Sequence, residues 1–113
     1  MTRRLRPFDH ARRFWNGLTF RKAENEARRV ARDCDHVDPL SVVDVDTRRA
    51  WRSQATTLYP TEAVADVRAC WYFGALLGAC RDLTFVGDCY GMDNEQGDAW
   101  QAGLVVGERW VRP

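Results

Sequence analysis

One stretch of the chain, Ala69 to Cys80, is apolar for twelve consecutive residues and lies between Arg68 and Arg81. A helix that is hydrophobic on every face is buried on every face, because none of its sides favours water. A helix that spans a bilayer needs about 20 such residues, so this shorter run fits the core of a helical domain. The sequence therefore predicts a central helix at about 62–83, with the other segments packed around it.

The composition is that of an ordinary globular domain. Hydrophobic residues make up 45% of the 113 residues and charged residues 29%, which is too apolar for a disordered chain. The length suits one domain. We therefore expect a single helical domain over residues 1–113 with a basic N-terminal arm at 1–7. Because neither a secretory signal nor a membrane span is apparent, we expect it in the cytoplasm.

Apolar periodicity and turn residues predict the remaining helices. Thr19 and Asp93 are expected to cap the second and last helices, and Asp46 or Thr47 the third. Gly103 is expected to end the last helix, with the tail that follows docked on the core. The predicted helical spans besides the central one are 9–16, 20–35, 47–58 and 94–102, and residues 40–45 are predicted to be a loop. The expected fold class is all-α, a small compact bundle of four or five helices.

A strip of small residues runs along the central helix. Gly74 and Gly78, with Ala75 and Ala79, repeat at a spacing of four, so they share one helix face. Such a strip lets another backbone approach closely. We expect a helix of the same domain to cover it, and a homodimer seam is the alternative. The sequence is therefore compatible with either a monomer or a homodimer.

The four cysteines do not form a recognisable metal or disulfide pattern. No C-x-x-C occurs, although that turn is the usual start of a chelating site. On one helix, Cys70 and Cys80 would lie about 15 Å apart along the axis, too far for a disulfide. Cys34 and His36 provide two ligands where a zinc site needs four. We therefore expect buried, reduced cysteines and neither a metal nor another cofactor.

The basic residues are concentrated at the N-terminal end of the chain. Residues 1–36 hold ten Arg or Lys and five Asp or Glu, for a net charge of +5, whereas residues 37–113 have a net charge of −4. In the second helix, basic residues and one asparagine recur at i, i+4, i+7 and i+11, opposite an apolar stripe. The candidate contact residues are Arg3, Arg4, Arg6, Arg21, Asn25, Arg28 and Arg32.

This basic surface admits three interpretations. Arginines spaced along a helix could contact nucleic-acid phosphates, and Asn25 could contact an adenine edge. They could instead contact an acidic protein. The simplest alternative is a solvated helix face without a partner.

No catalytic motif is present, so we expect no enzyme activity. Five tryptophans are many for this length, and exposed Trp is enriched at protein interfaces. Trp15 and Trp110 lie nearest the chain ends and are expected to be partly exposed, as possible interface aromatics.

The favoured hypothesis is a small non-enzymatic binding protein, an inhibitor or adaptor acting on a protein partner. The alternative is a nucleic-acid-binding regulator that uses the basic arm and Arg21, Arg28 and Arg32. A short Arg-rich helical chain of this kind is typical of phage-encoded or accessory proteins of high-GC bacteria.

Overall fold

The computed structural model describes residues 7–80 and 91–111, and the side chains of 11–80 and 91–111. Within these ranges all regular structure is helical, which confirms the all-α class. A 3-10 turn at Glu62–Val64 precedes the fifth α-helix. The α-helices are α1 (Pro7–Asn16), α2 (Phe20–Asp33), α3 (Pro39–Val42), α4 (Val45–Leu58), α5 (Ala65–Gly78) and α6 (Asn94–Val111). None of the described helices combines the length and the apolar character that crossing a membrane requires.

Helix α5 is the centre of the bundle, as its uniformly apolar sequence predicts. Val67 and every residue from Ala69 to Gly78 are buried. The helix packs against α6 most extensively, and also against α1, α2, α3 and α4. It begins at Ala65, after the 3-10 turn, and ends at Gly78. The predicted end near residue 83 is therefore wrong, because the following residues, Ala79 and Cys80, already form a turn.

Glycines bring α5 and α6 into backbone contact. A Cβ atom on Gly74 would lie 2.0 Å from the Trp100 carbonyl oxygen, and one on Gly78 would lie 2.2 Å from that of Leu104. Gly107 of α6 faces α5 in the same way, 2.2 Å from the Ala75 oxygen. The small-residue strip is therefore covered by a helix of the same chain, as expected, and is closed to a second copy.

The two helices of this pair run parallel. Asp66, at the start of α5, lies beside Gln96, at the start of α6, with 2.6 Å between Oδ2 and Nε2. Further along, the Ala75 oxygen faces Gly107. Contacts thus advance in the same direction along both helices, and the α5 and α6 residues that touch are about 30 positions apart in the chain.

The predicted end of the last helix at Gly103 is wrong. Helix α6 continues without interruption to Val111, so the expected docked tail is helical. The reason is that Gly103 serves packing: a Cβ atom there would lie 1.9 Å from the carbonyl oxygen of Trp71. Its lack of a side chain lets the two helices touch and does not end one of them.

The cap predictions are partly correct. Thr19 caps α2 by accepting a hydrogen bond from Lys22 N at 3.2 Å, as predicted. The N-cap of α4 is Asp44, which accepts from Thr47 N at 3.1 Å, so the prediction of Asp46 or Thr47 is wrong. Asp44 sits one residue before the helix in extended backbone, where its carboxylate can reach the free N–H groups of the first turn.

The segment predicted as a loop at 40–45 contains a short helix. Asp38 caps α3 by accepting from Leu40 N at 2.9 Å, and Pro39 occupies its first turn. Proline is well suited there because its missing N–H would have no helical partner anyway. Helix α3 provides a single turn between α2 and α4.

A buried glutamine ties three helices together. Gln96 is completely buried, and its Nε2 donates to Asn16 Oδ1 at 2.9 Å and to Asp66 Oδ2 at 2.6 Å. Asp93 caps α6 as predicted, accepting from Gln96 N at 2.8 Å, while Asp93 N donates to Gln96 Oε1 at 2.9 Å. This reciprocal cap also links the ends of α1, α5 and α6.

Candidate binding surface

Helix α2 divides into a buried stripe and an exposed polar face. Ala23, Ala27, Val30 and Ala31 are buried, as their spacing predicts. The four predicted contact residues of this helix, all exposed, are Arg21, Asn25, Arg28 and Arg32. Because the side chains of the stripe are small, α2 packs close against the core. The polar side chains of α2 project from the opposite side of the helix.

Three of these residues share a cavity with the turn that follows α2. The cavity, which we name the α2 pocket, has a volume of about 600 Å³. Its polar lining consists of Asn25, Arg28, Arg32, Asp35, His36 and Asp38. Arg21 is exposed further toward the start of the helix and is not part of this lining.

The two arginines of the α2 pocket differ in their partners. Arg28 Nε lies 3.1 Å from Asp38 Oδ2, so its charge is already matched by a carboxylate. The Arg32 guanidinium forms no hydrogen bond or ion pair with the described residues, and the side-chain amide of Asn25 is likewise without a partner among them. The pocket therefore offers one guanidinium and one amide to an incoming group.

The turn after α2 places the remaining lining residues. His36 N donates to Ala31 O at 2.7 Å and Asp35 N to Arg32 O at 3.1 Å, the pattern of a Schellman motif. Such a motif needs a left-handed residue, and Asp35 takes this role with φ 54°. Helix α2 therefore ends at Asp33, two residues before the predicted end. His36 Nδ1 lies 2.8 Å from Val37 O.

Sequence reasoning missed Asp35, His36 and Asp38 as parts of this surface. It considered His36 as a metal ligand beside Cys34, and it did not place Asp35 or Asp38 on the binding surface. The usable signal is their position: polar residues directly after a helix fold back beside its last turn when the helix ends in a left-handed residue.

A second cavity of about 570 Å³ adjoins the first and shares Asn25 with it. It lies between α1 and α2, and its lining consists of Arg13, Phe14, Lys22, Asn25, Glu26 and Arg29. Arg29 is paired with Glu26 and with Asp33, at 2.7 Å from the latter. We call the two cavities, together with Arg21, the α1–α2 face.

The opposite edge of α2 is anchored by an acidic side chain. Glu24 Oε2 accepts hydrogen bonds from Tyr72 Oη at 2.6 Å and Arg52 Nη1 at 3.1 Å, and lies 3.5 Å from Arg48 Nη1. Glu24 therefore pairs with two arginines of α4, Arg48 and Arg52, and not with Arg28 of its own helix, because the arginines of α4 lie in a less exposed place. Burial and the bond to Glu24 raise the pKa of Tyr72.

The other predicted contact residues have different outcomes. Arg3, Arg4 and Arg6 lie outside the described residues. The expected exposure of Trp15 is wrong: only 7% of it is exposed, because its ring packs 5.5 Å from that of Phe73. Trp110 is 39% exposed and packs edge-on against Trp51, with 5.7 Å between ring centroids.

Comparisons with protein-family models, curated proteins and solved structures find no match for this chain. In the described ranges, no three His, Cys, Asp or Glu side chains are grouped so that they could hold a metal ion.

Proposed function

We propose that this chain is a small non-enzymatic binding protein, an inhibitor or adaptor, which acts on a protein partner through the α1–α2 face. The observation that carries the proposal is the mixed charge of this face. Its arginines are interspersed with carboxylates, which are Glu26, Asp35 and Asp38. A protein surface can present both signs of charge in a complementary arrangement, whereas a phosphate backbone presents only one.

The unpaired arginines determine the sign of the charge that we expect on the partner's surface. Arg13, Arg21 and Arg32 are exposed and have no ion pair with the described residues. Exposed Phe14 lines the second cavity together with Arg13 and adds apolar area to the contact. Arginine and aromatic residues commonly carry the binding energy of interfaces. The proposed partner therefore has a predominantly acidic surface with some basic groups.

The test is photocrosslinking in cells of the organism that carries the gene. A benzophenone amino acid at position 21 should capture a defined protein, and the same group at exposed Gln101 of α6 should not. Because the triple substitution of Arg13, Arg21 and Arg32 by Ala removes residue 21 as a crosslinker position, the benzophenone amino acid is then placed at position 25. The triple substitution should abolish capture from that position. Equal capture from positions 21 and 101, or none from 21, would contradict the proposal. Fractionating the same cells tests the cytoplasmic location, which is part of the proposal.

A nucleic-acid-binding regulator is the second candidate. It is favoured by Arg21 and Arg32, which lie on one face of α2 without carboxylate partners in the described chain. Binding to phosphates releases counterions, so affinity for a labelled random duplex should fall steeply between about 50 and 200 mM salt. Replacing Arg21, Arg28 and Arg32 with Ala should flatten that dependence. No binding at the lower salt concentration would exclude this candidate.

A further inference from the structure

We propose that the α2 pocket binds the carboxylate of an Asp or Glu side chain in an extended segment of the partner, with Arg32 as its principal ligand. The inference rests on the proposed function and specifies its recognition chemistry. Arg32 presents a planar guanidinium that can donate two parallel hydrogen bonds to one carboxylate. Its exposure and its lack of a partner in the described chain leave these donors available.

The neighbouring charges favour a singly charged anion. Arg28 is held by Asp38 at 3.1 Å, so the pocket has one uncompensated arginine. Asp35 also lines the pocket and would repel further negative charge. A carboxylate brings one charge, which Arg32 alone can match. A phosphate group brings up to two, and the second would have to be accommodated near Asp35 and Asp38.

Asn25 supplies the second half of the recognition. Asn25 and Arg32 are seven residues apart, so they lie on the same helix face about 10 Å apart along its axis. An amide has both donors and acceptors and can bind a peptide group of an extended chain. A segment whose carboxylate meets Arg32 can therefore place a neighbouring peptide group at Asn25. The volume of about 600 Å³ lies in the ordinary range of binding pockets.

The experiment is an NMR titration of the full chain, observing the side-chain Nε–Hε signal of Arg32 and the amide signal of Asn25. The probe is N-acetyl-glutamate amide, and its matched neutral control is N-acetyl-glutamine amide. Inorganic phosphate is the third ligand. We expect saturable shifts of both signals with the glutamate probe, and binding at least about tenfold weaker with the glutamine probe, since charge-assisted hydrogen bonds are the strong ones.

Variants locate the effect within the pocket. Arg32→Ala should weaken binding of the glutamate probe at least about tenfold. Arg109→Ala, which removes an exposed arginine of α6, should leave it unchanged. Asp38→Asn keeps the oxygen that caps α3 but releases Arg28, so it should bind the probe more tightly than the wild type.

Three results would overturn the inference: equal binding of the glutamate and glutamine probes, an unchanged affinity in Arg32→Ala, or tighter binding of phosphate than of the glutamate probe. The last result would assign the pocket to phosphate and favour the nucleic-acid candidate. Photocrosslinking measures capture of the partner, and its result does not depend on which chemical group of the partner is recognised. Capture from position 21 together with a failed titration would therefore overturn the carboxylate inference alone.

Discussion

Gly103 of α6 lies so close to Trp71 of α5 that a Cβ atom at position 103 would come within 1.9 Å of the Trp71 carbonyl oxygen. The obstructing atom belongs to a helix backbone and cannot rotate away. Gly103→Ala should therefore force the two helices apart and lower the free energy of unfolding by at least about 2 kcal/mol. Urea denaturation followed by circular dichroism measures this loss.

Gly97 provides the matched control in the same helix. A Cβ atom there would meet nothing within 4 Å, and alanine favours helix more than glycine does. Gly97→Ala should raise the free energy of unfolding by about 0.5–1 kcal/mol. If the two alanine variants changed stability in the same direction, the described contact between α5 and α6 would be wrong.

The buried Gln96 should not tolerate a negative charge. Gln96→Glu would place a carboxylate oxygen where Nε2 now donates to Asp66 at 2.6 Å. An uncompensated buried charge of this kind costs about 3 kcal/mol at pH 7. Repulsion and burial would raise the pKa of one of the two carboxyls, so the loss should shrink as the pH falls from 7 toward 4.5.

Urea denaturation at both pH values tests this prediction, with Gln101→Glu as the control on the exposed side of α6. The control should change stability by less than about 0.5 kcal/mol at either pH. An equal loss at pH 7 and 4.5 for Gln96→Glu would point to altered packing and not to charge.

Tyr72 should make the protein sensitive to alkali. Burial and the hydrogen bond to Glu24 raise its pKa in the folded state, while an unfolded tyrosine ionises near pH 10. Above that pH the unfolded chain loses a proton that the folded chain keeps, so stability falls as pH rises. Tyr72→Phe should cost about 1–2 kcal/mol at pH 8 by removing the bond to Glu24. Its unfolding free energy should then decline less than that of the wild type between pH 9 and 11, and parallel declines would contradict the assignment.

The left-handed Asp35 should be replaceable by glycine with a gain in stability. Its φ of 54° is unfavourable for a residue with a Cβ atom and costs glycine nothing. Asp35→Gly should raise the free energy of unfolding by about 0.5–1 kcal/mol. Asp33→Gly, two residues earlier inside α2, should lower it. Thermal unfolding of the two variants checks the opposite signs.

The sequence predicts those parts of the fold that follow from a helix's own pattern. The uniformly apolar run identifies α5 as central, and the period of Ala23, Ala27 and Val30 identifies the buried stripe of α2. Both follow because the pattern of side chains along a helix directly decides which faces leave water.

The failures arise where a residue's role depends on a distant partner. Gly103 has the local signature of a helix end, yet its role is set by Trp71, which lies 32 positions earlier. The position of Trp15 near the chain end predicts exposure, but Phe73 and the core cover it. Half of the polar lining of the α2 pocket comes from the turn that follows the helix, so the exposed helix face alone could not reveal the pocket.

The parallel course of α5 and α6 has a consequence for how the chain folds. Two adjacent antiparallel helices can pair through a short turn, but here the tightest contacts join residues about 30 positions apart. Closing such a separation costs chain entropy before any contact forms, which slows folding. During synthesis α5 is made before α6, so α6 cannot cover the glycine face of α5 until α6 is complete. The nascent chain therefore completes the contact between α5 and α6 only when α6 has been made.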